Sequence, residues 1–175
     1  MKNRFSLPLS QKEINSLKTG QQIFLSGTVF TARDQVHKKL AEIIKKKGRL
    51  PEFLRGQTVY YCGPTRAFKD SVIGSCGPTT SSRMDLFSPL LIKKGLKVMI
   101  GKGRRSFLVR QEIKKHKAIY LVAPAGCGAL LSEKVKKAEV ICFKELGTEA
   151  IHKLDVVDFP VIVAIDTKGK TIFKK

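Results

Sequence analysis

At 175 residues the chain fits one domain, residues 1–175, long enough to bury a real core, and its 42% hydrophobic content argues for a globular protein and against disorder. No apolar run reaches the roughly 18 residues that a membrane span needs, and the start Met-Lys-Asn-Arg-Phe-Ser has neither an apolar core nor a small-residue cleavage site, so a soluble cytoplasmic protein is expected. The formal net charge of +20 calls for an explanation: nucleic acid, an acidic partner subunit, an anionic substrate, or a solvated basic surface.

Ser10-Gln11-Lys12-Glu13 is a capping-box pattern. It predicts a helix of two turns with Ile14 and Leu17 on one face and Gly20 as its stop. Gln21 to Phe30 reads as a strand, with Gly27 a candidate bulge. Thr31-Ala32-Arg33-Asp34 then opens a helix, Thr31 and Asp34 standing at capping-box spacing, and Val36, Leu40, Ile43 and Ile44 recur at helical intervals up to Gly48. Asp34 suits a first helical turn; Arg33 does not, because the helix dipole repels a cation there.

Thr58 to Cys62 is a strand ending in Gly63-Pro64-Thr65. The same Cys-Gly-Pro-Thr returns at Cys76 to Thr79, marking two similar strand ends. The stretch Gly74 to Asp85 organises the chain. Gly77 and Pro78 punctuate it, Thr79, Thr80, Ser81 and Ser82 stand where a helix would start, and Arg83 sits among them. A cation, hydroxyls and free amides meeting at one point suit a carboxylate or phosphate. A capped turn with a solvated arginine is the other reading, although a second arginine after a strand, Arg33, favours a shared anion.

Ser88-Pro89 predicts a helix restart that Gly95 stops, followed by a strand from Lys97 to Ile100. Gly101-Lys102-Gly103-Arg104-Arg105-Ser106 is a glycine-flanked basic turn. It lacks P-loop spacing, so a ligand-approaching loop and a plain surface turn both stay open. Ala118 to Ala123 is a near-continuous apolar strand, as expected when both faces are covered. Pro124 to Gly128 turns into a helix from about Ala129 to Lys137, and Val140 to Phe143 is another strand. Val161 to Ile165, the turn Asp166 to Gly169 and Thr171 to Phe173 close the chain as a hairpin. These elements predict a mixed α/β domain in layers.

Cys62, Cys76, Cys127 and Cys142 are 14, 51 and 15 residues apart, with no C-x-x-C pair and no histidine at zinc spacing. They read as small buried residues; neither a self-contained metal site nor a disulfide is expected. The basic clusters at Lys45–Lys47 with Arg49, Lys102–Arg105, Lys114–Lys117 and Lys134–Lys137 carry no interleaved aromatics. A nucleic-acid-binding module is therefore the second reading.

Several motifs now form an ordered set: Thr31-Ala32-Arg33-Asp34-x-x-His37-Lys38, Gly77-Pro78-Thr79-Thr80-Ser81-x-Arg83-Met84-Asp85, and Gly101-Lys102-Gly103-x-x-Ser106. The tail adds Glu145-Leu146-Gly147, Asp158-Phe159-Pro160 and Ala164-Ile165-Asp166-x-Lys168-Gly169. From about Leu9 to Phe173 the set resembles the β subunit, or C-terminal domain, of class I iron–sulfur fumarate hydratases and the related L-tartrate dehydratases. That resemblance implies a swivelling three-layer β/β/α domain with a mixed sheet. It implies reversible addition of water to a dicarboxylate double bond, fumarate to L-malate in the fumarases, with L-tartrate as the alternative diacid. It also implies a [4Fe–4S] cluster held by an α subunit and not by this chain, whose cysteines miss the family's cluster positions, within an α2β2 heterotetramer. By position, Thr79 matches the catalytic base at carbon, while Arg33, Thr80, Arg83 and Lys102 match substrate-binding residues. Asp34 and Asp85 read as supporting partners.

Overall fold

The computed structural model describes residues 3–68 and 70–173. The described strands are β1 (Arg4–Ser6), β2 (Gln22–Thr31), β3 (Thr58–Tyr60), β4 (Val98–Gly101), β5 (Ile119–Val122), β6 (Val135–Cys142) and β7 (Ile151–Ile165). The helices are α1 (Gln11–Ser16), α2 (Asp34–Lys47), α3 (Ser88–Lys93), α4 (Phe107–His116) and α5 (Gly128–Ser132). All seven strands form one mixed sheet in the order β1-β2-β3-β4-β5-β7-β6. β1 to β5 pair in parallel, and β7 runs antiparallel to β5, β6 and β2. Because β7 pairs with both β5 and β2, the ring β2-β3-β4-β5-β7 closes on itself.

Alternation along the central strands explains the layers. Successive side chains of a strand point to opposite faces. Tyr60, Val98, Ile100, Ile119 and Leu121 face inward, onto a core shared with Ile23, Leu25, Val156, Phe159, Val161 and Val163. Val59, Tyr61, Met99 and Tyr120 face outward, onto Val36, Leu40 and Ile44 of α2, Leu91 and Ile92 of α3, and Val109 and Ile113 of α4. Two β layers thus enclose the first core and a helical layer covers the second. The α/β expectation and the doubly covered β5 segment both hold.

The capping box forms as read: Ser10 accepts from the Glu13 amide, and the Glu13 carboxylate reaches back to the Ser10 backbone. The expected irregularity at Gly27 appears as a register break between Leu25 and Gly27. Two of the basic clusters have a local cause. Lys45, Lys46 and Lys47 occupy the last turn of α2, and Lys114, Lys115 and His116 that of α4, where cations offset the helix dipole.

Several expectations need correction, the first being the stop at Gly20: α1 already ends at Ser16, with Leu17 extended. The capping box at Thr31–Asp34 is absent: β2 continues to Thr31, whose hydroxyl donates to the Ala150 carbonyl and accepts from the His152 amide, so β7 claims the side chain that would have capped α2. The helix expected over 129–137 stops at Ser132, and β6 starts at Val135. Val135 is buried while Lys136 and Lys137 stay exposed, and pairing with β7 overrides local helix preference. β7 begins ten residues before the expected Val161, in spite of Pro160. Its β6 partner ends at Val156 and its β5 partner starts at Ile162, so Pro160 has a neighbour on one side only and its missing N–H breaks no ladder. The closing strand at Thr171–Phe173 is reduced to one bridge between Ile165 and Thr171.

Candidate active site

The carboxyl ends of the parallel strands β2, β3 and β4 lie side by side on one rim. Each contributes a segment of the site. Arg33 is the N-terminal flanking residue of α2, just past β2. Past β3, the Tyr61 carbonyl accepts from the Thr79 amide at 2.6 Å, which anchors the Gly74–Asp85 segment to the sheet. Past β4, Thr80 pairs with Lys102 as an isolated parallel bridge, and the Ser81 amide donates to the Lys102 carbonyl at 2.9 Å. Instead of a regular helix, the hydroxyl run forms a 3₁₀ turn over Ser81–Met84.

Two glycines permit this crowding. A Cβ on Gly101 would overlap the Ser81 hydroxyl and come within 2.8 Å of the Tyr61 ring. At Gly63 it would meet the Arg33 side chain at 2.9 Å. Any larger residue would push the loops apart or displace the arginine.

Asp34 holds the two arginines together. Its Oδ2 lies 3.4 Å from Arg83 Nη2, and its Oδ1 lies 3.8 Å from Arg33 Nε. Arg33 Nε also approaches Glu149 Oε1 at 3.3 Å. Arg83 donates a long hydrogen bond to Asp34, whereas the contacts of Arg33 are attractive but poorly aligned: Arg33 Nε, Asp34 Oδ1 and Glu149 Oε1 are buried without a hydrogen bond. Among the described residues, no partner is recorded for the hydroxyls of Thr79 and Thr80 or for the Lys102 ammonium. Arg83 leaves 52% of its side chain exposed, against 23% for Arg33. The five residues expected from the sequence, three cations and two hydroxyls, thus lie on one open rim, together with the carboxylates of Asp34 and Glu149.

His37 lies behind Arg33, fully buried. Its Nδ1 sits 2.9 Å from the Arg33 carbonyl, which requires a proton on that nitrogen, and its ring stands edge-on to Tyr61. Burial, aided by the Arg105 charge, lowers its pKa to about 4 against the opposing pull of the Arg33 carbonyl and Asp34. An unfolded histidine titrates near 6.5, so the unfolded chain binds this proton first on acidification. The stability contributed by neutral His37 is therefore present above about pH 6.5 and lost as pH falls towards about 4. Denaturant titrations at pH 7 and 4.5 should show about 2 kcal/mol more destabilisation in the native chain than in a His37→Gln variant.

Sequence reasoning missed Glu149, His37 and Arg105. Arg105 lies in the basic turn that reads either as a ligand-approaching loop or as a plain surface turn, yet its side chain is 0% exposed. Burial works to lower its pKa, and Tyr61, Asp85 and Tyr120 outweigh that effect and raise it. Spacing to Asp85 carried no signal, because the two meet only through the fold.

The chain's own residues do not fit an iron–sulfur cluster, which needs several converging thiolates. All four cysteines are free. Cys62 and Cys76 are buried with sulfurs 3.5 Å apart, and the hydrogen bond between them, together with burial, raises the Cys62 pKa and keeps it a thiol. Among the described residues no group of three or more His, Cys, Asp or Glu side chains is placed to hold a metal ion. Nor is any described helix long and apolar enough to cross a membrane. A cavity of about 790 Å³ lies away from the rim, between α4 and the turn at Lys168 and Gly169.

Comparison with known families decides the ancestry of this rim. Residues 2–175 match the family model described as Fumarase C-terminus. The chain belongs to that family. Within the family it is 37% identical over 173 residues to the putative L(+)-tartrate dehydratase subunit beta of Methanocaldococcus jannaschii, covering 95% of this chain and 89% of that one. To the L(+)-tartrate dehydratase subunit beta of Escherichia coli it is 34% identical over 177 residues, covering 98% and 87%. To the anaerobic class I fumarate hydratase of Escherichia coli it is 35% identical over 165 residues, covering 93% of this chain but 30% of the hydratase. The chain therefore spans about 30% of the length of the fumarate hydratases it matches and most of the length of the tartrate dehydratase β subunits.

Proposed function

We propose that this chain is the β subunit of a hydro-lyase that reversibly adds water to fumarate to give L-malate. The convergence of Arg33, Thr79, Thr80, Arg83 and Lys102 on one rim carries this reading. The guanidinium forks of Arg33 and Arg83 suit a carboxylate in bidentate fashion. Lys102 and the Thr80 hydroxyl complete the binding set, and Thr79 takes the proton from the malate carbon. As that proton leaves, charge moves into the adjacent carboxylate, and fixed cations stabilise it more than the ground state.

Three cations face two carboxylates here, one charge short of neutralising a dianion. That deficit and the open rim support a site completed by a partner. We assign the [4Fe–4S] cluster to an iron–sulfur α subunit, in a cytoplasmic α2β2 heterotetramer in which residues 1–175 act as one swivelling domain. L-tartrate is the second diacid, favoured by the two β subunits whose lengths this chain matches. Nucleic-acid binding is disfavoured, because two of the basic clusters serve helix ends and a third contains the buried Arg105.

The test is anaerobic purification of the chain alone and together with its α partner, followed by iron analysis and assays with fumarate, L-tartrate and methyl-branched analogues. The chain alone should be colourless, iron-free and inactive, and the complex should contain iron and hydrate one of the diacids. Iron on the isolated chain, or a complex inert to every diacid, would overturn the proposal. RNA or DNA affinity that falls linearly with salt on logarithmic axes would instead favour the binding-module reading.

A further inference from the structure

The buried Arg105 takes no direct part in the site described above, yet from the turn that bears Lys102 it reaches the segment ending at Asp85 and the strands behind both. Its Nε donates to Asp85 Oδ1 at 2.7 Å, and its Nη2 donates to Ser88 Oγ at 2.7 Å. Nη1 reaches the Tyr61 hydroxyl at 3.3 Å and the Met99 sulfur at 3.7 Å. The guanidinium plane stacks near the rings of Tyr61 and Tyr120, 5.2 and 4.9 Å from their centroids. The other Asp85 oxygen accepts from the Ser106 amide at 2.6 Å. Ser81 Oγ accepts from the Lys102 amide at 3.1 Å and lies 2.8 Å from the Tyr120 hydroxyl, itself 2.9 Å from the Gly103 carbonyl.

One guanidinium therefore joins the segment that bears Thr79, Thr80 and Arg83 to the turn that bears Lys102. A buried ion pair contributes little net stability compared with apolar side chains of similar shape, so stability alone is a weak reason for a charge here. Registration is a better one. Only arginine offers a rigid fork able to engage a carboxylate, a serine and a tyrosine at once; a lysine offers one point charge on a flexible stem. We propose that Arg105 is a positioning residue: through Asp85, Ser88, Tyr61 and Tyr120 it fixes Lys102 relative to Thr80 and Arg83 across the rim.

The kinetic half of the test rests on the dicarboxylate reading; the structural half does not. Three variants, Arg105→Lys, the double variant Arg105→Met with Asp85→Leu, and Ser88→Ala, are assembled with the α partner. Thermal stability, kcat and KM for fumarate and hydrogen exchange at the Lys102 amide are measured on each. That amide bonds to Ser81, so no substituted atom contributes to its protection. Arg105→Lys should speed its exchange and lower kcat/KM about tenfold or more, since a displacement of about 1 Å at a catalytic group can cost on the order of a hundredfold. The double variant should be at least as stable as the wild type and show the same kinetic loss, which a merely structural role does not predict. Ser88→Ala, which removes a single contact, should lose about threefold and stays informative if the other two do not fold. Wild-type exchange and kcat/KM in any folded variant of this set would overturn the proposal. If the wild-type complex does not act on fumarate, the dicarboxylate reading fails, while Lys102 exchange still decides whether Arg105 sets the position of the turn.

Discussion

Arg83→Ala should lower kcat/KM for the diacid by about a hundredfold or more while the αβ complex still assembles. The expectation rests on how little else Arg83 does. Half of its side chain is exposed, and its ion pair with Asp34 spans 3.4 Å, so removing it costs little stability. Electrostatically the loss is double. A cation leaves the rim, and the Asp34 carboxylate that it faced is left to repel an incoming dianion. Arg83→Lys keeps the charge without the fork and should fall between the two. Arg33→Ala should be as slow or slower, with an added cost to folding, because Arg33 is more deeply set, against Gly63 and Glu149. Steady-state kinetics on the anaerobic complex, with gel filtration as the assembly control, measure both effects. Unchanged turnover in the two alanine variants would reject the rim as a diacid cradle.

The Asp34 bridge also bears on how the cations tolerate one another without substrate. Two arginines and a lysine held at one rim repel, and the structure answers with carboxylates that make one long hydrogen bond, Arg83 to Asp34, and otherwise attract without aligned ones. Such partners lower the repulsion and leave most guanidinium N–H groups available. A diacid can then form shorter, bidentate bonds than the single long one that Asp34 makes.

What could be read from the sequence follows from the range of the interactions involved. The Ser10–Glu13 capping box, the end of α2 at Gly48 and the doubly apolar β5 are set by neighbours within a few residues, and they form as expected. Thr31 has the right spacing for a cap but is held by Ala150 and His152, more than a hundred residues away. The 133–137 segment, expected as helix, fails for the same reason, since β7 decides its conformation. The site divides along the same line. Arg33, Thr79, Thr80, Arg83 and Lys102 are expected through an ordered set of short motifs; Arg33 and Lys102 stand just past β2 and β4, whereas Thr79 to Arg83 lie well past β3 and reach the rim only through the fold. Arg105 stands three residues from Lys102 in the same turn, and nothing local distinguishes its buried guanidinium from its exposed neighbour Arg104. Glu149 enters from the far end of the chain and could be placed only by the fold.

Thr79 carries the sharper chemical prediction. Thr79→Val, nearly equal in shape, should reduce kcat by on the order of 10²- to 10⁴-fold, the usual contribution of a positioned general base, and leave KM much closer to the wild-type value. A threonine hydroxyl is a weak base, so the role demands an environment that stabilises its alkoxide. The rim supplies part of one. Thr79 is half-buried, its amide is pinned to the Tyr61 carbonyl, and the backbone of the next residue pairs with that of Lys102, so the lysine starts from the neighbouring strand end. A nearby cation favours the ionised form of the hydroxyl. Thr79→Ser keeps the oxygen and should retain most of the activity, while Thr79→Val keeps the volume and loses the base. Malate deuterated at the proton lost from carbon separates chemistry from binding, because slowing that step should enlarge the isotope effect on kcat in the valine variant. Wild-type kcat in Thr79→Val would move the base elsewhere, and the partner subunit would then have to supply it, leaving this chain the carboxylate-binding cations alone.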